Sequence, residues 1–249
     1  MKYYIASDVH GFYDEFNAAL KNSGFYDDTT SHKLIILGDL FDRGRQAREL
    51  QSFILELIEK NEIILIRGNH EDLFEELVTV DQGQAYSHHL INGTYSTALH
   101  LTGYEQSVAL FKNYQLAEAA RETPFFTRIL PLMKSYYETS NYVFVHGWIP
   151  CIRERNGSYS YYSSWREAST DEWATARWIN GIDMARYSSE DKTIVCGHWH
   201  ASYGHSRYEG KGSEFGKDAD FTPYYGPGII AIDACTAHSK QVNVIVIED

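Results

Sequence analysis

Short apolar runs, each closed by a polar motif, recur along this chain. KYYIAS, KLIIL, IILIR, YVFV, TIVC and GIIA lead into Asp8-Val9-His10, Gly38-Asp39-Leu40-Phe41-Asp42-Arg43-Gly44, Gly68-Asn69-His70-Glu71, His146-Gly147, Gly197-His198-Trp199-His200 and Ile232-Asp233. Bare apolar runs of this length read as strands buried on both faces. Strands are predicted over 2–7, 33–37, 63–67, 142–145, 229–233 and 242–247. Between the first three, the apolar spacing turns helical. Phe12, Phe16, Ala19 and Leu20 share one face, with Gly24 as a stop. Leu50, Phe53, Ile54, Leu57 and Ile58 share another, within a helix over 45–60. The opening segment is therefore βαβαβ, with polar motifs at the strand ends where open α/β sheets bind ligands.

The rest of the chain punctuates this plan. Further helices are predicted over 71–80, 105–121, 125–138 and 169–187. Residues 72–141 contain no motif and read as a helical insertion, with a polar, glycine-containing stretch inside it. Residues 202–228 carry six glycines, two prolines and several aromatics, and read as a long functional loop. The expectation is one domain over 1–249.

Charge and cysteine content narrow the partners. The net charge is −12, which argues against an extended phosphate-backbone footprint. A small anionic substrate remains compatible, because bound cations supply local positive charge. Cys151, Cys196 and Cys235 are far apart and form no CxxC, so a reducing cytoplasm is expected. The first strand begins at once and no apolar run approaches membrane-spanning length, so neither a signal peptide nor a membrane is expected.

All six motifs carry Asp, His or Asn, a ligand set for divalent metals. Asp39 is the candidate bridge between two ions. Asp8 and His10 flank one turn and can reach a common ion. Asn69 offers a carbonyl oxygen, and His146 and His198 offer imidazole nitrogens. Mixed N/O ligation without thiolate suits Mn²⁺ foremost, then Fe, Zn²⁺, Ni²⁺, Co²⁺ or Mg²⁺, rather than Ca²⁺. Two such ions about 3.5–4 Å apart lower the pKa of a bridging water and clamp an in-line phosphoryl displacement. His70 follows a ligand directly and is a candidate general acid, with Asp42 to hold its tautomer. Arg43 offers a fork of donors to phosphate oxygens.

The motifs in this order resemble those of the calcineurin-like metallophosphoesterases. The similarity is strongest to the phosphoprotein phosphatase branch, which includes bacterial and phage serine/threonine phosphatases and symmetrical dinucleoside tetraphosphatases. Gly38–Gly44 matches GDxxDRG, Leu65–Glu71 matches LxRGNHE, Asp8–Gly11 matches DxHG, and Val145–Gly147 matches the fourth motif. The resemblance implies a two-sheet β-sandwich flanked by helices, with a dinuclear metal site at the strand C-termini. It places Asp8, His10 and Asp39 on one metal and Asn69, His146 and His198, with Asp39, on the other. A metal-bridging hydroxide is then the implied nucleophile.

Three departures stand out. Ser7 and Trp148 replace common glycines, and the last motif reads GHWH rather than GHT. His200 is therefore an expected extra ligand of the first metal. A second phosphate-clamping arginine is expected between the fourth and fifth motifs, with Arg177 preferred over Arg166. Outside the motifs the expectations are structural. His88 and His89 are read as surface residues, and His205 as a loop hydrogen bonder or a substrate contact. Trp199 is read as packing, Glu71 as a helix cap or a partner of the ligands, and Asp233 as a brace.

The leading functional reading is hydrolysis of a phosphomonoester, on a phosphorylated protein or a small phosphate ester. The alternative is hydrolysis of a dinucleoside polyphosphate or another nucleotide. A nuclease ranks lower because of the acidic balance. A non-catalytic metal-binding scaffold ranks last, because the ligand set and the His70–Asp42 pair are intact.

Overall fold

Period-two alternation sorts the strand residues onto two faces, and that sorting builds the molecule. The structure, a computed structural model, describes residues 1–104, 113–153, 159–161, 164–188 and 190–249. The first sheet contains β1 (Lys2–Ala6), β2 (His32–Ile36), β3 (Ile63–Leu65) and β11 (Val244–Glu248), in the order β11-β1-β2-β3. The first three strands are mutually parallel, and β11 closes the edge antiparallel to β1. The second sheet contains β4 (Tyr137–Glu138), β5 (Tyr142–Phe144), β8 (Thr193–His200), β9 (Tyr224–Gly226) and β10 (Ile229–Asp233). Its order is β4-β5-β8-β10-β9, with a parallel centre and antiparallel edges. A hairpin pairs β6 (Cys151–Arg153) with β7 (Tyr159–Tyr161).

Tyr3, Ile5, Ile35, Leu37, Ile64 and Ile66 meet Phe144, Val195 and Ile232 between the sheets. Their neighbours Tyr4, Ala6, Leu34, Ile36 and Leu65 pack on helices Tyr13–Asn22 and Ala47–Glu59 through Phe16, Leu20, Leu50 and Ile54. On the far side, Val143, Ile194, Cys196 and Ile229 pack beneath Trp148, Trp173 and Ile182. The result is a two-sheet sandwich flanked by helices. Both faces of each parallel strand are covered, which is why the runs are bare rather than alternating.

The helical regions depart further from expectation. The helix expected over 71–80 begins earlier, at Asn69, and passes at Glu76–Val80 into a π-helical turn. The polar stretch that follows holds two helices, Ser87–Asn92 and Thr94–Thr102. Of the helix expected over 105–121, residues 105–112 lie outside the described residues, and Asn113–Arg121 is helical. The helix expected over 125–138 is a π-helical turn, Phe125–Ile129, and a 3₁₀ turn, Leu130–Leu132. Pro131 withholds the N–H that a continuing helix needs. Lys134 instead bonds the edge of β3: its N–H donates to Leu65 (2.9 Å) and its carbonyl accepts from Arg67 (2.9 Å). The helix expected over 169–187 breaks into Thr170–Ala176 and Gly181–Met184, because Asn180 caps the N–H groups of Ile182 and Asp183. Residues 202–228 are less irregular than expected, containing a turn of helix Ala201–Gly204, a π-helical turn His205–Glu209 and β9. No helix among the described residues is long and apolar enough to cross a membrane.

Candidate metal centre

The motif residues meet because parallel strands from both sheets deliver them to the same end. Asp8 follows β1, Asp39 follows β2, Asn69 follows β3 and His146 follows β5. The chain leaves these strands through the left-handed region. Asp8 (φ 50°), His10 (51°), Asp39 (52°), Asp42 (74°), Arg43 (59°) and His198 (63°) all lie there. Such positions cost about 1–3 kcal/mol each and persist where the surroundings fix them.

His198 is placed by a bulge. In the β8–β10 ladder, Ala231 pairs with Cys196 and Asp233 with His200, so Gly197, His198 and Trp199 stand opposite Ile232 alone. The freed backbone is used by the site. Gly197 N–H donates to the His146 carbonyl (2.8 Å), and His198 N–H donates to Asp8 Oδ2 (3.0 Å). A Cβ at Gly197 would stand 2.2 Å from Asp8 Oδ2, so only glycine lets β8 approach this closely. Gly68 is equally constrained, with Asp39 Oδ1 2.2 Å from where its Cβ would be.

Three imidazoles are oriented by their outer nitrogens. His146 Nδ1 faces the Leu37 carbonyl (2.6 Å), His10 Nδ1 the Phe41 carbonyl (3.0 Å) and His70 Nδ1 the Asp42 carboxylate (2.6 Å). Each outer nitrogen therefore carries the proton, and each inner Nε2 presents a lone pair. These lone pairs converge on Asp39. His146 Nε2 is 3.4 Å from Oδ1, and His10 and His70 Nε2 are 3.8 and 3.7 Å from Oδ2. His146 Nε2 also stands 2.8 Å from Asn69 Oδ1, and His10 Nε2 3.9 Å from Asp8 Oδ1. Buried acceptors facing acceptors call for cations between them.

The potential ligands form two groups, His10–Asp39–His70 and Asp39–His146–His198, each with its donor atoms within 4.8 Å of one another. Asp39 belongs to both, as a bridge must. The set is oxygen and imidazole nitrogen without sulfur, a donor set that divalent ions accept.

The charges follow from this enclosure. Burial pushes the Asp8 carboxyl well above its usual range, and the charges of Asp233 and Asp39 push it further. Burial also acts on Asp39, but His146, His70, His10 and His198 outweigh it and hold this carboxyl below the ordinary range. Burial lowers His10, His146 and His198, the last to about 3, so these imidazoles are neutral, as ligands must be. His70 is different. Burial lowers it, but Asp39 and the Asp42 hydrogen bond raise it above the usual imidazole value. Arg43 lies at the open side, with Nη1 2.8 Å from His10 Nε2 and Nη2 3.1 Å from His70 Nε2.

Residues beside the candidate ligands hold the centre in place. Thr94 Oγ1 donates to Asp42 Oδ2 (2.8 Å) and Thr97 Oγ1 to Asp42 Oδ1 (2.5 Å). Both lie one turn apart on helix Thr94–Thr102, in the stretch whose polar character hid its helices. Glu71 accepts from the N–H groups of Asp39 (2.9 Å), Leu40 (2.9 Å) and Gly68 (2.8 Å), locking the β2 and β3 motifs together. Burial and then Asp39 raise its carboxyl to about 7, against those three donors. Thr236 Oγ1 donates to the Asp8 carbonyl (2.8 Å), and Asp233 accepts from Cys235 N–H (2.7 Å), bracing the end of β10.

Some expected residues lie elsewhere. His200 is not in either ligand group: its Nε2 is 2.6 Å from Glu214 Oε1, and its ring packs on Trp199 and Phe215. Among the described residues, the two groups hold His10, Asp39, His70, His146 and His198, while Glu214 holds His200. Arg177 is buried, and its Nε and Nη2 bind Asp72 at 2.6 and 3.1 Å. This pairing ties Arg177 to the helix that begins at Asn69. Arg166 pairs with Glu138 and Glu190. His205 makes loop hydrogen bonds, to Glu209 (2.9 Å) and the Thr222 carbonyl (3.0 Å). His88 is at the surface as expected, but His89 is fully buried.

A family model described as calcineurin-like phosphoesterase matches residues 1–239. A bis(5'-nucleosyl)-tetraphosphatase PrpE [asymmetrical] of Bacillus velezensis is 38% identical over 76 residues, covering 28% of this chain and 30% of that protein. A bis(5'-nucleosyl)-tetraphosphatase, symmetrical, of Buchnera aphidicola is 38% identical over 71 residues, covering 28% of this chain and 24% of that one. The matched stretches thus span less than a third of these relatives. Among solved structures, a cold-active protein tyrosine phosphatase superposes with TM-score 0.56 at 17% identity, covering 99% of this chain and 73% of that one. That likeness is one of fold. The chain belongs to the calcineurin-like phosphoesterases.

Proposed function

With that membership as premise, we propose that this chain hydrolyses a phosphomonoester at a dinuclear centre held by Asp8, His10, Asp39, Asn69, His146 and His198. The observation that carries the reading is Asp39, one buried carboxylate common to two groups of ligands. Two bound divalent ions, Mn²⁺ foremost, would supply an activated water and positive charge against the phosphate oxygens. The side chains supply the rest. His70 keeps a proton more readily than a free imidazole, because Asp39 and Asp42 oppose its burial. Its Nδ1 proton is tied to Asp42, so the one it can give is the second proton, taken up on the Nε2 that faces the centre. That makes His70 the general acid for the leaving oxygen. Arg43 sits beside His10 and His70 at the open side, placed to bind a phosphate oxygen bidentately. A phosphorylated side chain or a small phosphate ester fits an open, cation-rimmed centre of this kind, and a cytoplasmic setting fits the thiols.

The test is turnover of p-nitrophenyl phosphate, its bis-ester, a phosphoserine peptide and diadenosine tetraphosphate by the purified chain with added Mn²⁺. Hydrolysis of a monoester that a chelator and Asp39→Asn both abolish supports the reading. Absence of monoester turnover with any divalent ion sinks it.

A second reading, hydrolysis of a dinucleoside polyphosphate, is favoured by a specific recess. Trp178, Trp199, Tyr187 and Tyr203 line a hollow of about 510 Å³ together with Arg186 and Arg207. Trp178 is half-exposed, and its ring stands edge-on to His198 with centroids 6.0 Å apart. Aromatic faces beside cationic groups suit a nucleobase and its phosphates. The names of the two tetraphosphatase relatives point the same way. Trp178→Ala should then raise KM for diadenosine tetraphosphate and leave that for p-nitrophenyl phosphate unchanged; equal effects on both would remove the recess from substrate binding.

A further inference from the structure

A second constellation of ligand-type side chains lies outside the centre. Glu76, Asp81, His88 and His89 bring their donor atoms within 4.8 Å of one another. His88 Nε2 is 3.6 Å from Glu76 Oε2, and His89 Nε2 is 3.9 Å from the same oxygen and 3.7 Å from Asp81 Oδ2. These separations are too long for hydrogen bonds. They are close to the spacing of donors around a tetrahedral ion, whose ligands at about 2.0–2.2 Å stand roughly 3.3–3.6 Å apart.

The interior of the cluster is unsatisfied. His89 is fully buried, and its Nε2 has no hydrogen-bond partner; Asp81 Oδ2, also buried, has none either. Buried polar atoms are nearly always paired, so two orphans facing each other imply an occupant. Burial, and then the neighbouring His88, lower the affinity of His89 for a second proton, which leaves the neutral imidazole that metals bind.

We propose that Glu76, Asp81, His88 and His89 form a separate site for one divalent transition ion of the zinc class. Two imidazoles and two carboxylates, without sulfur, suit Zn²⁺ or Co²⁺ in four-coordination. Binding displaces the proton from His89 Nε2. The neutral ring then holds its proton on Nδ1 and gives up the long 3.3 Å bond accepted there from the Tyr86 N–H.

The position of the site gives it a consequence. Glu76 continues the helix that begins with Asn69 and His70. His88 and His89 lie on Ser87–Asn92, which leads into the helix whose Thr94 and Thr97 grip Asp42. An ion here ties together the two elements that set the His70–Asp42 pair. It is a positioning site, remote from the reacting atoms.

Zinc binding is measured on the full chain by equilibrium dialysis against a competing chelator, in two backgrounds. The wild type should saturate at three ions, and the His88→Ala/Glu76→Gln variant at two; both substituted positions are half-exposed, so folding should survive. In a chain with the dinuclear centre disabled by Asp39→Asn and His146→Ala, one tight site should remain. Its affinity should fall at least about 100-fold when His88→Ala and Glu76→Gln are added. Co²⁺ in that remaining site should show the intense visible absorption of four-coordinate cobalt, lost with the same substitutions. Saturation of the wild type at two ions, or a third ion indifferent to His88 and Glu76, overturns the proposal.

Discussion

Asp39 and Glu138 are both carboxylates held below their ordinary range, for opposite reasons. Glu138, at the edge of the second sheet, is held at about 2 by hydrogen bonds from Arg166, with Lys192 adding to them against partial burial. Arg166 meets it as a fork at 2.8 and 2.7 Å, and Lys192 Nζ is 2.6 Å from Oε1. Its oxygens have the donors they need. Asp39 accepts one N–H, from His70 at 3.0 Å, and otherwise faces imidazole nitrogens at 3.4 to 3.8 Å. Its neighbours lower its pKa without completing its coordination. A carboxylate whose partners satisfy it holds the fold together, whereas one whose partners are also acceptors waits for a ligand.

The largest expected effect breaks the centre itself. Asp39→Asn should empty both metal positions and cut kcat by at least about 10³-fold, the scale of several kcal/mol of metal assistance. His10→Ala should empty mainly one position. Metal analysis of the two purified variants separates these outcomes, and equal losses in both would take the bridging role from Asp39.

Next comes the acid. His70→Asn should lower kcat by about 10²–10⁴-fold on an alkyl phosphate. On p-nitrophenyl phosphate, whose phenolate leaves unaided, the loss should be far smaller, with metal content unchanged. If both substrates slow by the same factor while chemistry limits the rate, His70 serves phosphate binding instead.

Thr94→Val and Thr97→Val remove hydroxyls that hold Asp42 and leave every ligand in place. Each should cost about 10-fold in kcat on the alkyl ester, typical of groups that orient a catalytic partner. Together they should approach the effect of Asp42→Asn. A kcat unchanged in the double variant would show that Asp42 is held well enough without them.

The smallest effect tests the structural carboxylate. The folded pKa of Glu138 is depressed from 4.5 to about 2, so its stabilisation is present above 4.5 and lost as pH falls towards 2. Glu138→Gln should therefore melt about 1–3 °C below wild type at neutral pH. The two melting curves should converge at low pH. A gap that persists there would mean that the substitution acts through packing.

Much of this arrangement is legible in the order of residues. Alternation in Tyr3–Ala6 and Leu34–Leu37 encodes which side chain meets the other sheet, and DxH, GDxxDR and GNH each follow a strand because strands deliver ligands to one edge. What stays hidden are choices made between distant segments. Thr94 and Thr97 carry no mark of their partner, which lies more than fifty positions away. His200 is expected on a metal because its neighbours form a motif, but Glu214, in an aperiodic stretch, takes it. Arg177 lies close to the site in the chain order, yet Asp72 holds it. Pro131, by contrast, is plain in the sequence and marks where the helix expected over 125–138 has to end.

The bulge in β8 has a cost that only a redesign would expose. Gly197, His198 and Trp199 face one residue of the neighbouring strand, and part of the ladder is given up there. A version lacking two of the three could pair residue for residue with β10. That sheet would be more regular and harder to unfold, and it would have no imidazole at His198 and no amide at Asp8. Selection for stability alone would remove the bulge, so its survival marks a compromise in which sheet regularity yields to reactivity.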